Sequence, residues 1–491
     1  MKRQPTSAPA EQGKRNKKMM WYTLAFMGFT TVWGFGNIIN GFAYYGGLPA
    51  VLPWILIMAL YFVPYALIVG ELGATFKEHG GGVSSWTLKT TAPVFAFFAG
   101  WMYWVVHMPY LSQKPNQVVV AISWAIFGEQ GADKVKNLPT LLVAAICLGI
   151  FLFCIFLTTR GISIIKKIAS IAGICSFILS ILFILMIWAA PAITEGNVQH
   201  IKWSFDTFKP EMGVSFFTSL SILILAVGGA EKIAPYVNQM KKPGKNFPRG
   251  MIAVAIMVAI CAVLGTIALG MVASPADLQD KDHFVTSGAY ESFEKLGLYY
   301  GVGSLFRIIY AVTQGICFSA ALIISIDAPL RVLLDNADTK YIPKGLLKKT
   351  KKGAYINGLI MIVVIVTILI IVPALGAGNN DALNNFLTKM NSVCMPLRYC
   401  WVFVAYFFLK KRFGNENSEY KFVKNKYIGM TIATWCFVLT LASCIMGMYT
   451  TNKDGSLNVF QTVSNVIVPI VLVCLGFVMM AIAKRKNTKT Q

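Results

Sequence analysis

Charged side chains are scarce in this sequence. Only 13% of its 491 residues are charged, whereas 56% are hydrophobic. A soluble domain cannot hide so large an apolar fraction, because about a quarter of the residues in ordinary soluble domains are charged. The composition therefore excludes a soluble protein and predicts an integral membrane protein.

Acidic residues are scarcer than basic ones, with 21 Asp and Glu against 44 Lys and Arg, for a formal net charge of +23. Such an excess can indicate binding to nucleic acid. Here the basic residues are distributed over many short loops, which is typical of a protein whose loops follow the positive-inside rule. The sequence therefore predicts the lipid bilayer, and no nucleic acid, as a partner.

Motifs of catalysis and of metal binding are missing. The sequence has no HExxH and no Gly-x-Ser-x-Gly motif, and its ten cysteines lack the spacing of a metal site. Its four histidines lie in four separate segments: His79, His107, His200 and His283. We therefore expect no enzyme, no cofactor and no metal site.

Long apolar stretches are what the sequence has instead. A helix needs about 20 apolar residues to cross the hydrocarbon core. Stretches that meet this length without any charge are residues 138–159, 168–192, 251–273, 354–377, 427–449 and 457–483. The less uniform stretches are about residues 19–44 (span 1), 49–76 (span 2), 93–127 (span 3), 213–227 (the start of span 6), 299–334 (span 8) and 383–409 (span 10). Together they predict an all-α integral membrane protein with about 12 transmembrane helices, numbered here as spans 1 to 12.

The basic residues predict the orientation of these spans. If the N-terminus is cytoplasmic, the cytoplasmic segments hold 33 of the 44 Lys and Arg and the external loops hold 7. We therefore predict a multi-pass protein of the plasma membrane, here a bacterial cytoplasmic membrane, with both termini cytoplasmic. Residues 1–18 are predicted to be a cytoplasmic basic tail without a cleavable signal, and residues 484–491 a second tail.

Glycines interrupt two of the predicted spans. In hydrocarbon, an unwound helix persists only where it is buried or lines a cavity, so a Gly-interrupted span is a candidate substrate site. Alternatively, these glycines only allow close packing of helices. The predicted substrate-binding residues around the two breaks are Thr31, Trp33, Gly34, Phe35, Gly36, Asn37, Leu225, Val227, Gly228 and Gly229.

The breaks fall in spans 1 and 6, which is the spacing of an inverted repeat of five plus five spans. We therefore predict a transport core at residues 19–409, with repeat one at about 19–192 and repeat two at about 213–409. Residues 427–483 are predicted to form two additional transmembrane helices.

Charged residues inside the predicted spans are candidate coupling residues, because an intramembrane charge by default faces a cavity or a partner. Lys114 lies in the middle of span 3 and is a candidate fixed cation in place of a sodium ion. Glu231 follows the second break and is a candidate proton-linked or pH-sensing group. For Lys114 the alternative is a structural pairing with an acidic side chain that holds two helices together, and for Glu231 it is a structural pairing with a neighbouring polar group. Lys389 and Arg398 in span 10 indicate tolerance of anionic or zwitterionic substrates, provided that they face the cavity.

The motifs of span 6 resemble a known family. Gly229-Ala230-Glu231, Val237-Asn238-Gln239-Met240 and the following Pro-Gly-Lys-Asn-Phe-Pro look like the signature of bacterial glutamate:GABA antiporters, a branch of the amino acid-polyamine-organocation superfamily. Supporting matches are Gly34-Phe35-Gly36, Glu71-Leu72 with Gly81-Gly82, and Pro329-Leu330-Arg331. The resemblance covers essentially the whole chain.

This resemblance implies a LeuT-like fold with helices 1 and 6 broken, and transport of an amino acid or amine whose carboxylate binds the free N–H groups at the first break. It implies a sodium-independent antiporter, with a proton-coupled symporter as the alternative. A non-transporting membrane sensor of amino acids stays a further alternative, although the sequence shows no sizeable soluble domain to pass on a signal. Whether the protein forms a homodimer stays open. The sequence departs from the family where a large aromatic gating residue usually precedes the span 6 glycines, because residues 223–227 are all aliphatic.

Overall fold

The protein is helical throughout the part of the chain that its computed structural model describes. That part comprises residues 19–78, 82–160, 163–193, 198–334, 338, 340–350, 354–413, 418–452 and 455–488. The predicted tail at residues 1–18 lies outside it, as do residues 489–491 of the second tail and Gly81. Within the described ranges, extended pairing is limited to two isolated bridges, Met19 with Met240 and Thr451 with Leu457.

Twenty α-helices follow one another along the described chain. Those of the first half are α1 (Trp21–Val32), α2 (Gly36–Tyr44), α3 (Val51–Ile57), α4 (Val63–Thr75), α5 (Val83–Thr90), α6 (Pro93–Val105), α7 (His107–Phe127), α8 (Glu129–Asn137), α9 (Thr140–Arg160) and α10 (Ser163–Ile193). Those of the second half are α11 (Phe205–Phe208), α12 (Val214–Ala226), α13 (Pro243–Gly270), α14 (Lys281–Tyr299), α15 (Leu305–Leu334), α16 (Ile356–Gly376), α17 (Asn380–Cys394), α18 (Tyr399–Phe413), α19 (Lys426–Met448) and α20 (Val459–Thr488).

Eleven stretches of the described chain are long and apolar enough to cross a membrane, and they correspond to predicted spans 2 to 12. The missing one is span 1, because α1 and α2 contain only 12 and 9 residues and neither reaches the length of a full crossing. The prediction of an all-helical membrane protein with about 12 spans is confirmed. The repeat boundaries stay a prediction.

Within the described ranges, five spans depart from a continuous α-helix. Span 2 contains a π-helical turn at Met58–Phe62, span 3 is interrupted at Val106, and spans 1, 6 and 10 contain the three interruptions that follow. Residues 33–35 separate α1 from α2, and Val227 to Gly229 separate α12 from a 3-10 helix at Ala230–Gln239. The third interruption, which the sequence reasoning missed, is a 3-10 helix at Met395–Arg398 between α17 and α18. Pro396 at the start of that turn explains it, since proline lacks the N–H that a continuous helix needs.

Polar side chains join spans 3 and 10 inside the bundle. On α7, Gln113 donates to the hydroxyl of Thr388 at 2.7 Å and accepts from the amide of Asn391 at 2.6 Å, both on α17. One turn away, Asn116 donates to the side-chain oxygen of Asn380 at 2.5 Å. Because a buried polar group without a partner is costly, these contacts fix how α17 lies against α7.

A buried ion pair closes the side of the bundle on which α1 begins, here called the inner side. Lys410 of α18 and Glu71 of α4 are both fully buried, and their charged groups lie 2.5 Å apart. Tyr406 and the N–H of Phe422 donate to the same carboxylate, while the ammonium group also donates to the carbonyl of Val423. The pair therefore fastens the connection between α18 and α19 to span 2.

Helix α14 closes part of the opposite, outer side. His283 near its start points both ring nitrogens at carboxylates, Nδ1 at Asp381 of α17 at 3.1 Å and Nε2 at Glu291 at 2.8 Å. Each nitrogen therefore carries a proton, and hydrogen bonding to Asp381 and then to Glu291 raises the pKa of His283 to about 10. Lys136 of α8 adds ion pairs to Asp280 and Asp381 at 2.9 and 3.7 Å.

We predict that breaking the inner ion pair is costly and that removing both charges costs much less. Glu71→Gln or Lys410→Met should each destabilise the protein by about 3–5 kcal/mol, because each leaves one buried charge without its partner. The double variant should recover much of this loss. Thermal unfolding of the purified protein in detergent measures the effect. The matched control is Lys77→Gln, which removes a solvent-exposed pair with Glu419 and should change little. Equal midpoints for the wild type and both single variants contradict the prediction.

We predict that His283 stabilises the protein in a pH-dependent way. A folded-state pKa of about 10 lies above the ordinary value of 6.5, so the stabilisation is complete below pH 6.5 and disappears as the pH rises through 10. His283→Gln should therefore lower the unfolding temperature at pH 6 and have little effect at pH 10. The exposed His200 offers the control variant His200→Gln. A deficit that stays constant over this pH range rules out the charged histidine.

Candidate functional site

The first break exposes a row of backbone donors. Helix α1 ends at Val32, Trp33 is extended with φ −115° and ψ 142°, and α2 begins at Gly36. Among the described residues, no acceptor lies in hydrogen-bond range of the N–H groups of Gly34, Phe35 and Gly36. Three free N–H groups at the positive end of a helix form a suitable site for a carboxylate.

The second break depends on a glycine in a left-handed conformation. Helix α12 ends at Ala226, and Gly229 has φ +112°, a value that residues with a Cβ atom rarely adopt. The N–H groups of Gly229, Ala230 and Glu231 likewise find no acceptor among the described residues. Each half of the molecule thus contributes one interrupted helix with free donors.

The two breaks touch each other. Thr31 donates to the carbonyl of Gly229 at 3.4 Å, and Asn37 donates to the carbonyl of Ala226 at 3.0 Å. A Cβ atom on Gly229 would lie 2.7 Å from the carbonyl oxygen of Thr31, which is closer than such atoms approach. The interrupted helices of spans 1 and 6 therefore meet, as the sequence predicted for a substrate site between them.

Several of the predicted substrate-binding residues direct their side chains into the core. Trp33 packs edge-on against Trp54 at 5.6 Å between ring centroids, and Phe35 packs against Phe183 at 4.8 Å. Val227 is fully buried, and Leu225 is partly buried against a cluster of hydrophobic side chains in the core. These four residues can therefore offer a substrate their backbone groups, and their side chains hold the breaks in place.

A cavity lies between α2, α7, α14, α15 and α17, next to the first break. Its lining includes Gly36, Asn40, Gln117, Tyr310, Phe318 and Thr388. Gly36 is the predicted substrate-binding residue that lines it, and a Cβ atom at this position would meet no atom within 4 Å. The cavity therefore leads from the outer helix α14 to the free N–H groups at the start of α2.

Glu231 has two side-chain partners beside the second break. Its carboxylate accepts a hydrogen bond from Tyr65 of α4 and lies 3.1 Å from Nε of Arg398. The N–H of that nitrogen does not point at the carboxylate, so the contact is an ion pair without a hydrogen bond. All three side chains are essentially fully buried. These contacts match the structural alternative for Glu231, and its coupling role stays a prediction.

Arg398 continues this network toward span 3. It donates through one terminal nitrogen to Nε2 of His107 at 2.6 Å, while Nδ1 of His107 donates to the carbonyl of Tyr103 at 2.6 Å. One neutral tautomer of the histidine satisfies both contacts. Because Arg398 is fully buried and bound to Glu231 and His107, it does not face the cavity as a free cation. The interruption of span 10 after Cys394 places it there.

Gly228 allows the closest approach in the site. A Cβ atom at this position would lie 1.6 Å from the hydroxyl oxygen of Tyr399, so only glycine fits. That hydroxyl accepts a hydrogen bond from Arg398 at 3.3 Å. The glycine of the second break is therefore required for packing as well as for unwinding, and the packing alternative holds for this position.

Lys114 has neutral partners instead of the acidic partner that the structural alternative predicted. Its ammonium group donates to Gln117 at 2.6 Å and lies over the rings of Tyr110 and Phe318, 4.6 and 4.7 Å from their centroids. It forms no ion pair with an acidic side chain among the described residues. Gln117 and Phe318 line the cavity, so Lys114 contacts two residues of its lining.

Lys232 is the site residue that the sequence reasoning missed. It follows Glu231 in the 3-10 helix, and its ammonium group lies 5.4 Å from the centroid of the same Tyr110 ring. Like Lys114, Lys232 is a charged residue inside a predicted span, where a charge by default faces a cavity or a partner. It also lies close to the basic residues of segment 241–249, and the sequence alone does not separate it from them.

Comparison with known proteins agrees with this geometry. The amino acid permease family profile matches residues 20–472. The aspartate/glutamate permease AcaP of Lactococcus lactis subsp. cremoris is 46% identical over 484 residues, which cover 96% of this chain and 97% of that protein. The inner membrane transporter YjeM of Salmonella typhimurium is 26% identical over 448 residues, covering 87% and 88% of the two chains.

A glutamate/gamma-aminobutyrate antiporter of Lactococcus lactis subsp. lactis is 27% identical over 384 residues, covering 76% of this chain and 72% of that protein. The resemblance to this branch is therefore real but more distant than the likeness to the aspartate/glutamate permease. The prediction that the protein is no enzyme is confirmed by its family. The chain belongs to the amino acid permease family of the amino acid-polyamine-organocation superfamily, and is a multi-pass membrane transporter of amino acids.

Proposed function

We propose that the protein is a secondary transporter of acidic amino acids. The observation that carries this proposal is the charge around the meeting point of the breaks. Lys114, Lys232 and Arg398 contribute three positive charges there, and Glu231 is the acidic side chain that the network includes. Three basic side chains thus face one acidic side chain inside the membrane-spanning bundle, where an unbalanced charge is costly.

The chemistry of this charge excess favours one substrate class. A neutral amino acid leaves the positive charges unbalanced, and a basic amino acid adds a further repulsive charge. Aspartate or glutamate brings one carboxylate more than a neutral amino acid and so balances part of the excess. The name of the 46% identical relative, an aspartate/glutamate permease, supports the same class.

The free N–H groups at the first break are proposed to bind the α-carboxylate. Gly34, Phe35 and Gly36 present three donors at the start of α2, and Gly36 also lines the cavity. The carbonyl groups of the two unwound segments are proposed to accept from the α-amino group. The ten predicted substrate-binding residues then act mainly through their backbone.

Exchange without sodium is proposed as the transport mode, across a bacterial cytoplasmic membrane with both termini in the cytoplasm. Fixed ammonium groups beside the site repel a sodium ion, which also needs several oxygen ligands. The relative named as an antiporter supports exchange. Proton-coupled uptake through Glu231 is the alternative, and the contacts of this carboxylate with Arg398 and Tyr65 favour a structural role for it instead.

We predict that reconstituted protein takes up labelled aspartate into proteoliposomes loaded with glutamate, and that empty proteoliposomes take up almost none. Replacing sodium by choline should leave the rate unchanged. Unlabelled glutamate should compete with aspartate, whereas asparagine and lysine should compete weakly. Initial rates of uptake measure all three properties.

The outcomes of this transport experiment separate the proposals. Uptake into empty proteoliposomes under a pH gradient overturns exchange in favour of proton symport. Equal competition by aspartate and asparagine overturns the acidic substrate class. Binding of aspartate without any accumulation supports the sensor alternative.

We predict that Gly36→Ala weakens substrate binding without unfolding the protein. The added methyl group meets no protein atom within 4 Å and so enters the cavity beside the free N–H groups. The dissociation constant for aspartate, measured by calorimetry, should rise about tenfold, equivalent to about 1.4 kcal/mol. Gly149→Ala in α9 is the control, since this glycine also has open space around it but lies outside the site. Unchanged affinity together with a lower unfolding temperature contradicts this assignment.

A further inference from the structure

Two lysines on different spans share one aromatic ring near the centre of the molecule. The ammonium groups of Lys114 on α7 and Lys232 after the second break lie 4.6 and 5.4 Å from the centroid of Tyr110. The two nitrogen atoms are therefore at most 10 Å apart, which is the sum of these distances. Their positive charges repel each other wherever the surroundings are apolar.

The protein supplies no carboxylate to this pair among its described residues. Glu231 is adjacent to Lys232 in sequence, but its carboxylate is bound to Tyr65 and Arg398. Lys114 has a neutral partner, the side chain of Gln117 at 2.6 Å. The face of an aromatic ring stabilises each cation by about 0.5–2 kcal/mol, but it does not neutralise the charge.

Lys114 lies beside the internal cavity. Lys114, Lys232 and Tyr110 are each half-buried and keep some accessible surface. Gln117 and Phe318, which contact Lys114, line the same cavity as Gly36 at the first break. A solute in this cavity can therefore reach the start of α2 and Lys114 together.

We propose that Lys114 and Lys232 together bind the side-chain carboxylate of the substrate and thereby select acidic amino acids. This inference rests on the proposed function, since it assigns the second carboxylate of that substrate. The N–H groups of residues 34–36 hold the α-carboxylate, and the two ammonium groups hold the other one. Tyr110 keeps the two lysines close to each other in the absence of substrate.

The two lysines select acidic amino acids because only these supply a second carboxylate for their positive charges. When asparagine or glutamine occupies the site, the two lysines keep facing each other without an anion. When aspartate or glutamate occupies it, each lysine gains a charge-assisted contact. Lys232 also lies on the segment that unwinds at the second break, so a substrate bound between the lysines bridges span 3 and span 6.

The experiment compares Lys114→Met, Lys232→Met and Lys232→Arg with the wild type. The ratio of dissociation constants for asparagine and aspartate, measured by calorimetry on purified protein, reports selectivity. Each methionine variant should lower this ratio about tenfold or more, equivalent to one lost charge-assisted contact. Affinity for asparagine should change little, and Lys232→Arg should keep most of the preference because it keeps the charge.

Stability of the substrate-free protein distinguishes this role from a structural one. Removing an unpaired buried charge should leave the unfolding temperature unchanged or raise it, whereas removing a structural contact should lower it. Lys389→Met is the matched control, because Lys389 is also a half-buried lysine inside a span but lies over neither Tyr110 nor Phe318. It should leave the selectivity ratio unchanged.

Each result has a definite consequence. An unchanged ratio in both methionine variants, or an equal loss of affinity for aspartate and asparagine, overturns the two-lysine site. A wild-type protein without preference for aspartate overturns the proposed substrate class itself, before any variant is compared. Should one methionine variant fail to fold, the other variant together with Lys232→Arg still decides the assignment.

Discussion

The structure depends on one constraint, that every backbone N–H and C=O group inside a bilayer needs a partner within the protein. An unbroken helix satisfies it by itself, and most of the spans do so. At residues 33–35 and 227–229 the helices are interrupted, and the regular hydrogen bonds between their N–H and C=O groups are lost. Asn37 and Thr31 donate to two of the released carbonyls, while the N–H groups of residues 34–36 have no acceptor in the described part of the chain. Donors that the protein leaves free in such a place are available to a solute.

The side chains around the breaks divide the charges into two groups. A chain of contacts runs from Tyr65 through Glu231, Arg398 and His107 to Tyr103. It connects spans 2, 3, 6 and 10. The two lysines beside it are left out of that network. One small region therefore contains an ion pair within the protein and two lysines without an acidic partner among the described residues. We propose that a substrate anion supplies that partner.

The sequence predicted most of the fold because crossing a bilayer imposes a minimum length and an apolar composition on each span. The glycines at positions 34, 36, 228 and 229 marked both breaks. It could not predict that Trp33, Phe35 and Val227 direct their side chains into the core, since hydropathy does not say which way a residue faces. The sequence also could not show that Gly228 is packed against Tyr399, whereas Gly36 borders a cavity. The roles of Arg398 and Lys232 depended on contacts between distant spans, which one sequence does not show.

The most direct test of the account is an experimental structure of the protein with aspartate bound. The account predicts one aspartate where the two interrupted helices meet, with its α-carboxylate at the N–H groups of residues 34–36 and its side-chain carboxylate between Lys114 and Lys232. An aspartate bound elsewhere, or spans 1 and 6 that run as continuous helices around an empty centre, would contradict it.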